Sequence, residues 1–229
     1  MKNKNEKLVK NAFKNLSSSK PTVVFFLFDK SSSMKSYKSD VEENIKWFRD
    51  SLKKEDETNV LFIIRADFSG SYAEDDMVEI DNLRLDYMPQ GKSILYYAIC
   101  RMHESLTYPN EGYISVMENL GYSNPNIIIF ILTDGVDEGS EGSGYGFDEA
   151  KECLASLNKL DNINTYCLLF GNQGKQVMQD IGLNVVEFKR NKDGLKELFN
   201  FASEKSQRGV INEDNMNGWF SNDNPFENV

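Results

Sequence analysis

The sequence predicts an α/β fold built on a mostly parallel, doubly wound sheet with helices on both faces. Short apolar runs alternate along the chain with segments in which apolar residues recur every three or four positions, the period of a helix. Some of these runs contain no polar residue, which is typical of parallel strands covered on both faces. The 229 residues show no internal repeat, so we expect one main domain.

Six strands are predicted, and three of them are short and almost entirely apolar. Thr22–Phe28 (TVVFFLF) is the clearest of them. Met77–Tyr87 differs, because its apolar residues alternate with acids; this favours a half-exposed antiparallel edge strand with an irregularity. In chain order the predicted strands are Thr22–Phe28, Val60–Ile64, Met77–Tyr87, Ile127–Leu132, Ile163–Phe170 and Asn184–Phe188.

Helices are predicted between these strands from their apolar spacing. Val41, Ile45, Phe48 and Leu52, for example, fall on one side of a helix. Strands joined through such helices give a Rossmann-like sheet. The predicted helices are Val41–Leu52, Ser93–Leu106, Glu149–Leu160, Lys175–Ile181 and Gly194–Ala202, with a small one at Ile114–Leu120.

The main domain is predicted to span residues 21–205. Residues 1–20 form a basic N-terminal arm or helix with six Lys and one Glu, and residues 206–229 form a polar, flexible tail. No apolar stretch follows the lysines before Pro21, so a secretory signal is not indicated. The longest apolar runs have six residues, whereas a membrane helix needs roughly 18.

Composition excludes several classes of function. The formal net charge is −10, from 26 basic and 36 acidic residues, whereas a nucleic-acid-binding domain normally carries a basic face. His103 is the only histidine, so one chain cannot build a histidine-based metal or catalytic cluster. Cys100, Cys153 and Cys167 lie far apart in apolar segments. They are typical of buried thiols in a reducing compartment, so we expect a cytoplasmic protein.

Polar residues cluster where three predicted elements reach one edge of the sheet. Residues 29–34 (DKSSSM) follow the first strand, residues 133–135 (TDG) follow the fourth, and residues 91–93 (GKS) open a helix. Doubly wound sheets bind ligands outside the carboxyl ends of their strands. Two carboxylates and three hydroxyls meeting there would form an all-oxygen site, which suits Mg²⁺. The candidate ligands are Asp29, Ser31, Ser33, Ser93 and Asp134.

This arrangement resembles the von Willebrand factor A (VWA) domain and its metal-ion-dependent adhesion site. That family's pattern is Asp-x-Ser-x-Ser, then a Thr, then the Asp of Thr-Asp-Gly. The first element matches Asp29, Ser31 and Ser33; Ser93 takes the Thr position and Asp134 matches the last element. The order of elements fits the family fold over most of the chain. Residues 86–91 (DYMPQG) are similar to small stand-alone intracellular VWA proteins of bacteria and phages.

The resemblance implies roles for these five residues. Ser31 and Ser33 would ligate the metal directly, Ser93 directly or through water, and Asp29 and Asp134 often through water. The metal would be Mg²⁺, or Mn²⁺ or Ca²⁺ in its place. A carboxylate from a protein partner can complete the coordination shell.

Two positions depart from the family pattern. Ser93 replaces the usual Thr but keeps the hydroxyl, so ligation is retained with a less rigid side chain. Ser32 stands where the family often has Gly. If that position requires a positive φ, the serine costs about 1 kcal/mol.

These observations favour a non-enzymatic, metal-dependent adaptor or scaffold domain that binds an acidic group of a protein partner. The candidate ligands include no His or Cys that could activate water or a nucleophile. Residues 136–149 hold several acids and no base, so we expect a mobile, negatively charged rim beside the site. A carboxylate within a basic partner surface would tolerate that rim. Neither nucleic acid nor a membrane is expected as a partner.

Three other interpretations stay open at this stage. The chain could be a metal-dependent phosphohydrolase with Asp29 as nucleophile, although Ser31 stands where haloacid-dehalogenase-like enzymes have an acid. It could be a VWA fold with a degenerate site that binds partners elsewhere. Finally, the first motif could simply cap the next helix, as Ser and Asp often do.

Overall fold

The fold is organised around a sheet whose winding direction reverses once. The computed structural model describes residues 21–52, 61–122, 124–140 and 143–211. From β1 the chain passes to β2 on one side and later returns to β5 on the other side of β1, so the reversal lies between β1 and β5. The sheet order is β3-β2-β1-β5-β6-β7, and β4 also pairs with β2. The strands are β1 (Thr22–Asp29), β2 (Leu61–Phe68), β3 (Tyr72–Glu74), β4 (Val78–Glu79), β5 (Asn126–Thr133), β6 (Ile163–Phe170) and β7 (Asn184–Phe188).

Helices cover both faces of this sheet. Every residue of β1 is buried, and alternate residues enter different cores: Val23, Phe25 and Leu27 on one face, their neighbours on the other. Helices α1 and α6 pack on the second face, and the remaining four on the first. They are α1 (Lys38–Leu52), α2 (Leu95–Thr107), α3 (Tyr113–Asn119), α4 (Phe147–Leu157), α5 (Lys175–Asp180) and α6 (Lys192–Ile211).

The predicted fold class is confirmed, with a different construction at the antiparallel edge. A single strand was expected over Met77–Tyr87, but the edge consists of the two short strands β3 and β4, so the sheet has seven strands rather than six. The chain leaves the sheet after β4 because buried Arg65 donates to the backbone carbonyls of Arg84 and Asp86. These contacts replace the hydrogen bonds of a strand ladder in that segment.

Other boundaries shift where a local pattern is interrupted. The second strand was predicted to end at Ile64, but β2 continues to Phe68 with Arg65 only 1% exposed. The Arg65 guanidinium is neutralised inside the strand by Asp67, with Nε to Oδ1 at 3.0 Å. The last helix, predicted over Gly194–Ala202, reaches Ile211 and so enters the start of the predicted tail. The N-terminal arm and residues 212–229 lie outside the described residues.

Within the described ranges, no helix combines the length and the apolar character needed to cross a membrane.

Candidate metal centre

The candidate centre lies where β1 and β5 end side by side, at the reversal of the sheet. Phe28 and Leu132 are register partners, so Asp29 and Thr133 follow them at the same edge. The side chain of Asp29 is fully buried and Asp134 is 3% exposed. Two carboxylates are therefore kept from water at the position where doubly wound sheets bind ligands.

Asp29 collects hydrogen bonds from all three motif segments. Its Oδ1 accepts the backbone N–H of Ser31 at 2.8 Å. Its Oδ2 accepts the hydroxyls of Ser93 at 3.2 Å and Thr133 at 2.8 Å. Both hydroxyls donate to Asp29, so the lone pairs of Ser93 Oγ are directed away from the carboxylate, toward the position of a cation. The Thr133 oxygen in turn accepts the N–H of Gly135 at 3.0 Å. The Oγ atoms of Ser31 and Ser33 lie 2.9 Å apart.

Burial makes the charge of Asp29 costly in the absence of a cation. Burial raises the pKa of Asp29 to about 6, against hydrogen bonds from Ser31 and Thr133 that lower it, and the nearby charge of Asp134 raises it further. A divalent cation would offset both carboxylate charges. The donor set, hydroxyl and carboxylate oxygens around a buried charge, fits a hard cation such as Mg²⁺.

Ser93 is connected to the first motif through backbone hydrogen bonds. The N–H of Ser32 donates to the carbonyl of Gly91 at 2.9 Å, and the N–H of Gln90 donates to the carbonyl of Lys30 at 2.6 Å. Ser32 begins a 3-10 turn at residues 32–37 and is not in the left-handed region, so the strain considered for this position does not arise. The positive φ falls on Gly91 instead, at +76°.

Two glycines fix the segment that carries Asp134. A methyl group added to Gly135 would lie 2.1 Å from the carbonyl oxygen of Gln173. One added to Gly174 would lie 1.8 Å from the carbonyl oxygen of Gly135. The connections after β5 and β6 thus pack backbone against backbone, and only glycine permits this approach.

Arg190 joins the site, and nothing in the motif pattern predicted it. Its Nη2 donates to Oδ2 of Asp134 and to the carbonyl oxygen of Ser33, each at 3.1 Å. The residue lies two positions after β7 ends at Phe188. Its place after the carboxyl end of a parallel strand was the only signal that could have identified it. Thr133 was likewise treated only as part of a motif, although it orients Asp29 directly.

The segment after Asp134 is anchored to α2. Oδ1 of Asp137 accepts the backbone N–H of Tyr96 at 3.2 Å, and Oγ of Ser140 accepts that of Tyr97 at 3.2 Å. Both N–H groups belong to the first turn of α2, whose own N-cap residue offers no side-chain hydrogen bond. Asp137 also accepts the hydroxyl of Ser140 at 2.6 Å.

Acids of residues 136–149, the expected acidic rim, take part in hydrogen bonds within the fold. The N–H of Glu138 donates to the carbonyl of Ser93 at 3.0 Å, so the segment is bonded to the candidate centre itself. Asp137 serves the N-terminus of α2, and Glu149 accepts the N–H of Gly146 at 2.8 Å at the start of α4. Residues 137–140 are therefore tied to α2 and to the candidate centre by hydrogen bonds. The acids Asp137 and Glu149 complement helix N-termini.

Replacing Asp137 with alanine is expected to lower the free energy of unfolding by about 1 kcal/mol, because α2 loses an N-terminal hydrogen bond and a favourable charge. Urea unfolding measures the change. The matched control is Glu138→Ala, which removes an exposed carboxylate from the same segment. If Glu138→Ala is as destabilising as Asp137→Ala, the capping role is refuted.

No described part of the chain holds a cluster of three or more His, Cys, Asp or Glu side chains able to bind a metal. The candidate centre is of a different kind, because it pairs two carboxylates with hydroxyl oxygens.

Comparisons with known proteins identify the fold through structure rather than sequence. No protein-family model matches the chain, and no curated protein matches its sequence. The pilus adhesin SpaC from Lactobacillus rhamnosus GG is similar in fold, with a TM-score of 0.62 and 14% identity over 85% of this chain and 31% of that one. The vWF domain of the type V pili tip protein Mfa5 from Porphyromonas gingivalis has a TM-score of 0.58 and 9% identity over 86% and 98%.

A third similar structure is proximal thread matrix protein 1 from the mussel byssus, described with a zinc-occupied MIDAS motif. Its TM-score is 0.53, at 12% identity over 82% of this chain and 46% of that one. The chain therefore spans about a third of the SpaC chain and under half of the mussel protein. The class of protein is an α/β domain with a doubly wound sheet. More particularly, the chain has the von Willebrand factor A fold, as the resemblance in its sequence implied.

Proposed function

We propose that the protein is a non-enzymatic, metal-dependent interaction domain that binds a carboxylate of a protein partner. The observation that carries the proposal is the convergence of the Ser93 and Thr133 hydroxyls on buried Asp29, beside a second buried carboxylate, Asp134. The proposed metal residues are Asp29, Ser31, Ser33, Ser93 and Asp134.

Each residue has a distinct part in this proposal. The hydroxyls of Ser31, Ser33 and Ser93 offer oxygen lone pairs to the cation. Asp29 orients the hydroxyl of Ser93 and the backbone of Ser31 by accepting a hydrogen bond from each. Asp134 supplies the second negative charge that balances a divalent ion. When bound, the cation offers a coordination position to an anionic oxygen of the partner.

The similar structures support the coarser part of this proposal. Adhesion or pilus-tip proteins are among them, which fits a role in protein interaction, and the mussel protein is described with an occupied MIDAS motif. That structure holds zinc at its MIDAS motif. Because the proposed donors in this chain are all oxygen, we expect Mg²⁺ here, with Mn²⁺ or Ca²⁺ as substitutes. The partner would present its carboxylate within a basic surface. The proposed location is the cytoplasm, a reducing compartment in which the three cysteines would stay free thiols.

The geometry of Asp29 argues against the phosphohydrolase alternative. Its Oδ2 accepts two hydroxyl protons and its Oδ1 one backbone N–H, and the side chain is fully buried, so it is poorly placed to attack a phosphate. Ser31, two positions later, cannot protonate a leaving group near neutral pH. Turnover of an aryl phosphate that disappears in Asp29→Asn would restore this alternative.

Mg²⁺ at about 100 times its Kd is expected to raise the melting temperature of the wild-type protein by about 5–10 °C, because a ligand of the native state adds about 2.7 kcal/mol at that ratio. Asp29→Ala and Ser31→Ala should lose this rise. Ser32→Ala is the matched control, since its side chain is exposed between the two motif serines. Equal stabilisation of all four proteins would refute the site.

Capture of a partner then tests the binding role. Wild type and Asp134→Ala are compared as bait, each with Mg²⁺ and with a chelator. A partner retained only by the wild type and only with Mg²⁺ supports the proposal. A partner retained equally under all four conditions contradicts metal dependence and favours a fold with a degenerate site.

A further inference from the structure

Arg190 places a permanent positive charge against the candidate metal centre. Its Nη2 lies 3.1 Å from Oδ2 of Asp134 and 3.1 Å from the carbonyl oxygen of Ser33. The Asp134 side chain is 4% exposed, while that of Arg190 is 35% exposed. The guanidinium therefore reaches from the protein surface to a carboxylate that is almost completely covered.

The surrounding residues hold Arg190 in this position. The hydroxyl of Tyr37 donates to the carbonyl of Arg190 at 3.1 Å, and the Tyr37 ring packs edge-on against Phe170 at 4.8 Å. Gly171 lies beside the arginine side chain, since a Cβ at that position would be in van der Waals contact with Cδ of Arg190, at 3.6 Å. The contact with Asp134 is thus supported by three elements, namely the 3-10 turn, the end of β6 and the segment after β7.

A divalent cation and a guanidinium cannot both interact fully with this carboxylate. Both are attracted to Asp134, and each repels the other at close range with little water between them. We propose that Arg190 is the resident cation of the site: it pairs with Asp134 when no metal is bound, and metal binding displaces it. This inference rests on the proposed function, because it presumes that the five residues bind a metal.

Displacement has a consequence for the partner. The metal and the released guanidinium together exceed the negative charge of Asp29 and Asp134, so the loaded centre is net positive. An acidic group of a protein partner is then attracted to a centre bordered by acids such as Glu138. In the metal-free protein the guanidinium stays engaged with Asp134, and that attraction is weaker.

Isothermal titration with Mg²⁺ tests the competition. Arg190→Gln is expected to lower the Kd for Mg²⁺ about tenfold relative to wild type, because the metal no longer displaces a bound cation. The matched control is Lys189→Gln, which removes the same charge from the neighbouring exposed residue and should change the Kd less than twofold. Circular dichroism confirms that both variants are folded.

Chemical modification measures the displacement directly. Phenylglyoxal reacts with free guanidinium groups, and mass spectrometry reports the rate at each arginine. Saturating Mg²⁺ should accelerate modification of Arg190 at least threefold. The rate at Arg101, which pairs with Glu104 on α2, should not change.

The outcomes separate this inference from the proposed function. If wild type binds Mg²⁺ and Arg190→Gln binds it equally or more weakly, the metal centre stands and the competition is overturned. A weaker Kd would make Arg190 a residue that orients Asp134 for the metal. If Mg²⁺ binds only to Arg190→Gln, Arg190 competes with the metal, but displacement in the wild type and the proposed function are both overturned. If neither protein binds Mg²⁺, both proposals fail.

Discussion

Replacing Gly174 with alanine is expected to lower the free energy of unfolding by about 3 kcal/mol or more. The added methyl group would lie 1.8 Å from the carbonyl oxygen of Gly135, which is a backbone atom. The clash can be relieved only by moving the connection after β5 or the start of α5. Urea unfolding at constant pH measures the loss.

Gly182→Ala is the matched control for this substitution. Gly182 also has a positive φ, +97° against +70° for Gly174, but no atom lies within 4 Å of the position of its Cβ. It should cost about 1 kcal/mol, the strain of a left-handed backbone alone. Equal losses in the two variants would mean that the close approach of the two connections contributes nothing. A Gly174→Ala protein that still folds should also bind Mg²⁺ more weakly, because Gly135 follows Asp134 directly.

The metal-free protein is expected to lose stability as the pH rises, because of Asp29. Its pKa is about 6 in the native state and 3.8 in the unfolded chain. Between these values the native state holds a proton that the unfolded state has released, so the free energy of unfolding falls as the pH rises. The full loss is on the order of 3 kcal/mol and is complete above the native pKa.

Asp29→Asn isolates this effect, since the amide has nearly the same size and does not ionise. Urea unfolding of both proteins in chelator, at pH 4.5 and at pH 7.5, gives the difference in free energy of unfolding between the variant and wild type at each pH. From pH 4.5 to pH 7.5 this difference should shift by about 2 kcal/mol in favour of the asparagine variant. Saturating Mg²⁺ should remove this trend in wild type, because the cation stabilises the ionised carboxylate. Parallel pH curves without metal would contradict the burial of a charged Asp29.

Both predictions concern the two buried carboxylates of the candidate centre. Asp29 and Asp134 are buried charges, and the packed glycines keep the second of them in place. Two buried carboxylates lower the stability of the metal-free protein, and a bound cation would offset that cost. Arg190 offsets part of this cost at Asp134, whereas Asp29 receives only neutral hydrogen bonds from Ser31, Ser93 and Thr133.

Apolar patterning was sufficient to predict the fold class. The runs at β1 and β5 are apolar enough to be recognised as strands buried on both faces, and the predicted limits of Ile163–Phe170 and Asn184–Phe188 agree with the observed strands. The pattern failed at β2, because Arg65 and Asp67 neutralise each other inside the sheet. It failed again at the edge, where contacts of Arg65 with distant carbonyls draw the chain out of the ladder.

The sequence by itself predicted the fold class, most of the strands and helices, and five candidate oxygen ligands. Buried strands have a recognisable apolar pattern, and ligands bind at the carboxyl ends of such strands. Only the tertiary structure decided which charges meet at that edge. Arg190 reaches Asp134 across 56 positions of the chain, and Asp137 caps a helix that begins 42 positions earlier. The sequence around a charged residue does not identify its partner, because the partner depends on the strand order and on the path of the connections.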